Sequence, residues 1–62
     1  MNYQIIVMKD EYYSFILNLK NGEIITEMSR MDGFRSMAEA KEQAYKLIPA
    51  DADYEIIYGE AS

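Results

Sequence analysis

The sequence predicts a small α+β domain of order β-β-β-α-β, a mainly antiparallel sheet with one helix packed on one face. Three observations lead there. Four short runs are rich in β-branched and aromatic residues that alternate with period two; an Asn21-Gly22 pair separates the second run from the third; and one capped amphipathic stretch stands between the third and the fourth. With 62 residues the chain makes a single domain over residues 1–62. A domain of that size buries only about 60% of the surface its unfolded chain exposes. No cysteine can staple so thin a core, which leaves association as a common reinforcement.

Residues 3–8 read as the first strand and 12–19 as the second, joined by Lys9-Asp10-Glu11. Setting Met8 opposite Tyr12 puts Tyr3, Ile5, Val7, Tyr13, Phe15 and Leu17 on one face, because side chains alternate along a strand. Gln4, Ile6, Met8, Tyr12, Ser14, Ile16 and Asn18 take the other. Asn21-Gly22 fits a two-residue type I′ turn, which needs positive φ at both positions. That register sets Lys20 against Glu23, Leu17 against Thr26 and Asn18 against Ile25, with the third strand over residues 23–28. Residues 29–35 then read as a connection.

Ser36 with Glu39 matches the S-x-x-E capping box, in which each side chain satisfies an orphan amide at a helix start. From there the spacing predicts a helix over 37–48, with Met37, Ala40, Ala44, Leu47 and Ile48 in one arc and Glu39, Glu42, Gln43 and Lys46 opposite. Pro49 closes it by pushing Ile48 out of the α region. The last strand covers 54–58 and a short frayed tail follows. The right-handed crossover rule allows this strand beside the first and parallel to it, in order 4-1-2-3; an edge position beside the third strand is the alternative.

One helix covers one face, and its small Ala40 and Ala44 let it sit close over Phe15 and Ile5. Ile6, Met8, Tyr12, Ile16, Ile25 and Ile57 are left on the open side, and contiguous exposed apolar surface commonly marks an interaction site. These six are the candidate partner-binding residues, together with the acidic Asp51, Asp53 and Glu55 near the end of the chain. The expected partner is a protein, a second copy of the chain included.

Charge and chemistry narrow the function classes. Eleven acids against six bases give a net charge of −5, which disfavours phosphate backbones and anionic membranes as partners. No apolar run is long enough to span a bilayer or to serve as a leader, so a cytoplasmic location is expected. Without His or Cys the chain lacks the commonest catalytic base and soft nucleophile, and the usual transition-metal ligands; no enzyme activity and no cofactor are expected. Asp51-x-Asp53-x-Glu55 has the opening spacing of a calcium loop, but Ile56 stands where that loop needs Gly and Ser62 where it needs Glu. Gly22, Gly33 and Gly59 stand apart and form no phosphate-binding loop.

Tyr13-Ser14-Phe15-Ile16-Leu17, then Asn21-Gly22-Glu23-Ile24-Ile25, then Gly33-Phe34-Arg35-Ser36 with Glu39-Ala40 resembles the β-β-α unit of YegP-like small domains. The same stretch, about residues 12–46, is similar to the three-stranded N-terminal (arm-type, AP2-like) domains of tyrosine recombinases. The first resemblance implies no defined activity. The second implies DNA binding through a basic sheet, and here the chain departs from the pattern, offering Tyr12, Ile16 and Glu27 on that face.

The reading that results is a non-catalytic, acidic protein-binding module. Chains this small, acidic and free of cysteine are frequent among phage and mobile-element products, so an inhibitor of a host protein with an anti-defence role is the sharper expectation. The alternatives are a nucleic-acid-associated accessory domain using Arg30, Arg35, Lys41 and Lys46, and an acidic mimic of DNA.

Overall fold

The computed structural model describes residues 2–60; Met1, Ala61, Ser62 and the side chain of Glu60 lie outside that description, and with them the end of the expected tail and one acid of the C-terminal group. The elements are β1 (Asn2–Lys9), β2 (Tyr13–Asn21), β3 (Ile24–Phe34), α1 (Met37–Tyr45) and β4 (Asp53–Glu60). They form an α+β domain with one four-stranded sheet in the order β3-β2-β1-β4. β4 runs parallel to β1 and the other two pairings are antiparallel, so the crossover from β3 through α1 carries the chain to the far edge of the sheet.

Both hairpin registers differ from expectation by two residues. Lys9 pairs with Tyr13 and the ladder continues to Asn2 opposite Lys20; the loop is therefore Asp10-Glu11-Tyr12, closed by the Asp10 amide donating to the Tyr12 carbonyl at 3.0 Å. This register uses the whole of β1, whereas Met8 opposite Tyr12 would leave Leu19 and Lys20 beyond its described end. In the second hairpin Asn21 pairs with Ile24, and Gly22-Glu23 form the loop. Of these two loop residues only Gly22 has positive φ, at 63°. Glycine at the first central position is the pattern of a type II′ turn, and it spares Asn21 the left-handed conformation that a type I′ turn demands. Lys20 consequently faces Ile25, not Glu23. Because each shift is even, every expected strand residue that remains paired keeps its expected face, and Tyr12 alone moves from the second strand into the loop.

β3 is longer than expected and absorbs the segment read as a connection. Two irregularities make this possible. Met28 is an extra residue between the pairs Asn18–Glu27 and Leu17–Ser29, and Asp32 with Gly33 together stand opposite Ser14. Gly33 supplies a φ of 85° at the second, the usual role of glycine in a bulge. An edge strand tolerates such defects because one side carries no partner.

The core lies between the sheet and α1: Ile5, Val7, Phe15, Leu17, Phe34, Ala40 and Ala44 are buried, with Tyr3, Tyr13, Ile48 and Ile56 packed around them. Phe15 and Phe34 stack with ring centroids 5.8 Å apart. Ser36 caps the helix, its Oγ accepting from the Glu39 amide at 3.1 Å, while Glu39 Oε2 accepts from the Arg35 amide at 3.3 Å, one residue before the expected N-cap amide. α1 stops at Tyr45, three residues short of the expected end. Beyond it the Leu47 and Ile48 amides bond to the carbonyls of Ala44 and Tyr45, three residues back instead of four. Pro49 bars Ile48 from helical geometry and the last turn tightens instead. Leu47 thus falls off the helical arc and is 49% exposed, and Met37 at the helix start is 37% exposed.

Candidate partner-binding site

Pairing across the four strands arranges the uncovered face in rows. Ile57, Ile6, Ile16 and Arg30 stand side by side in one row. The row on one side is Gly59, Met8 and Ser14; on the other it is Glu55, Gln4, Asn18 and Glu27, followed by Asp53, Asn2, Lys20 and Ile25. An unbroken isoleucine row across three strands is therefore the apolar centre of this face. Met8 lies beside it, its Cγ 3.7 Å from the position a Cβ at Gly59 would take, an ordinary contact.

The six apolar candidates do not form one patch. Ile6, Met8 and Ile16 are half-buried by their sheet neighbours, while Ile57 at the edge is 41% exposed. Tyr12 has left the strand for the β1–β2 loop, where it lines a shallow depression with Met8, Ser14 and Arg30 and so continues the isoleucine row. Ile25 lies two rows away, and a polar row intervenes. That polar row is internally bonded: Asn18 Nδ2 donates to Gln4 Oε1 and Gln4 Nε2 donates to Glu55 Oε1, each at 3.1 Å. The chain of amides satisfies Asn18, which is 8% exposed, as a buried polar group requires.

The three acids separate as well. Glu55 belongs to the amide row and has Lys20 Nζ at 3.9 Å. Asp53 begins β4 and Asp51 lies in the preceding turn, both exposed. Among the described residues no three carboxylates gather where a metal ion could sit. The basic residues of the nucleic-acid alternative are divided too. Arg30 is on the uncovered face, bound to Glu27 at 2.7 Å; Lys41 is on the helix side, its ammonium donating to the Tyr58 hydroxyl at 3.3 Å.

Comparison with protein-family models, with curated proteins and with solved structures returned no match. Geometry alone therefore bears on function. Among the described residues no helix is long and apolar enough to cross a membrane.

A second feature was not anticipated. Among the described residues α1 packs over β1, β2 and β3 while its backbone stays away from β4, so α1 and β4 meet through side chains alone. Tyr45 lies against Tyr54 with centroids 5.4 Å apart, and Lys41 sits over the Tyr58 ring at 5.7 Å. Alternation of Tyr54, Ile56 and Tyr58 was the available signal, but a helix running to residue 48 would have been long enough to cover them. Desolvation, with Tyr54 beside it, raises the Tyr45 phenol above the usual 10.0. A tyrosine whose folded pKa exceeds its unfolded one holds its proton more tightly in the native state. Its contribution is complete below the unfolded value and is lost as pH climbs toward the folded one. Tyr54→Phe should bring the Tyr45 titration, followed by its ring-carbon shift, back toward the ordinary value; an unmoved curve would show that Tyr54 has no part in it.

Proposed function

We propose that this protein is a non-catalytic protein-binding module that takes its partner on the uncovered sheet face, along Ile57, Ile6 and Ile16, with Met8 and Tyr12 extending the contact. The observation that carries the reading is the isoleucine row itself. Three large aliphatic side chains share one line on the side away from the helix, and such a strip contributes free energy once a partner excludes water from it. The flanking polar row offers Gln4, Glu55 and Glu27 as a rim that sets register, the division of labour common at interfaces. Inhibition of a host protein, in an anti-defence setting, is the sharper form of this proposal and rests on small size and acidity.

Ile16→Asp is the test. Placed on the open face, the carboxylate stays solvated, so the circular dichroism spectrum and cooperative unfolding should persist while proteins captured from a cell extract by the wild-type chain are lost. Retention of the same captured proteins by both Ile16→Asp and Ile6→Asp would refute the reading.

A further inference from the structure

The two edges of the sheet differ in a way that singles out one of them. Among its described side chains β4 carries Asp53 and Glu55 and no base; two such strands side by side would bring like charges together, a recognised guard against edge pairing. β3 carries both signs, and it is the most exposed apolar segment of the molecule: Ile24 is 68%, Ile25 52%, Met28 54% and Met31 42% exposed. A long edge strand with such side chains is a template for another strand.

We propose that β3 pairs antiparallel with β3 of a second copy of this chain, about a two-fold axis between Met28 and Ser29, joining two sheets into one. The Met28 bulge makes this register chemically consistent. In a regular strand residues three apart point to opposite faces. Here Glu27 stands opposite Asn18 and Arg30 opposite Ile16, so the bulge brings both to the uncovered face. An axis between Met28 and Ser29 then sets Glu27 of each copy directly opposite Arg30 of the other, twice, on that same face. Thr26 meets Met31 of the second copy on the helix side, where their partners Leu19 and Phe15 already place them. The bulge falls at the axis in both strands, so neither strand is forced out of register by the other. The Glu27–Arg30 pair of a single chain, 2.7 Å apart, becomes a four-charge cluster.

This contact uses the strand edge and none of the three isoleucines, although Arg30 stands beside Ile16. The experiment is sedimentation equilibrium of the full chain, with Glu27→Arg and Arg30→Glu studied alone and mixed in equal amounts. At roughly 100 μM the wild type should sediment as two chains, a concentration at which a dissociation constant near 10 μM leaves most chains paired. Each variant alone faces like charges at two cross-strand positions and should associate about tenfold more weakly. The mixture should recover association, because the chain carrying Glu27→Arg sets two bases opposite the two acids of the chain carrying Arg30→Glu; a salt bridge acting only within one chain cannot produce that recovery. A single-chain wild type, or a mixture no better associated than its components, would overturn the proposal.

Discussion

Phe15→Ala should remove most of the folded population. Phe15 is 0% exposed, stacks on Phe34 and belongs to the cluster that also holds Ala40 and Ala44. Truncating a phenylalanine in such a place costs about 3–5 kcal/mol, the sum of lost transfer energy and an unfilled cavity. At roughly 0.05–0.15 kcal/mol per residue a chain of this length has only about 3–9 kcal/mol in total. No disulfide limits the unfolded state, so the loss is undiluted. Urea unfolding followed by far-ultraviolet circular dichroism should show a midpoint collapsed toward zero denaturant. A loss below about 1 kcal/mol, the range of ordinary surface changes, would mean that this ring is not the centre of the core.

Ala40→Leu should be the second most damaging change, for the opposite reason. Ala40 and Ala44 are both 0% exposed and are the buried residues of α1. Their small size lets the helix lie close over β1 and β2, so there is no space for an isobutyl group without lifting the helix or driving neighbours off their rotamers. Overpacking of this kind costs about 1–3 kcal/mol. Ala38→Leu, two residues earlier on the exposed side, is the matched control and should stay within about 0.5 kcal/mol of wild type. Equal effects of the two substitutions would place the helix in a different rotation from the one described.

The faces of the sheet were legible because period-two alternation survives any register error of two residues. Ile5, Val7, Phe15 and Leu17 lie under the helix as expected, and Ile6 and Ile16 lie on the other side. The register itself was not legible. Turn chemistry marks a hairpin, but Asn21-Gly22 supports more than one two-residue loop, and the choice falls to the pairing that fills the ladder. The length of β3 was hidden by Asp32-Gly33, residues that end strands in general and are absorbed here by a bulge on an unpaired edge. The candidate site was legible in part. Ile6, Ile16 and Ile57 form one row and Met8 and Tyr12 adjoin it, whereas Ile25 is cut off by the row from Glu55 to Glu27, a separation that only cross-strand register reveals. The aromatic contacts between α1 and β4 depend on where a nine-residue helix stops, and no local signal states how much of the sheet such a helix spans.

The uncovered face can be seen directly in a methyl-resolved spectrum of isoleucine-labelled protein exposed to a neutral, freely diffusing paramagnetic probe. Ile57 should broaden strongly and Ile6 and Ile16 measurably, while Ile5, 0% exposed beneath the helix, should stay sharp. Methyl lines of Ile6 and Ile16 as sharp as that of Ile5 in the free, single chain would contradict the open row on which the proposed function stands.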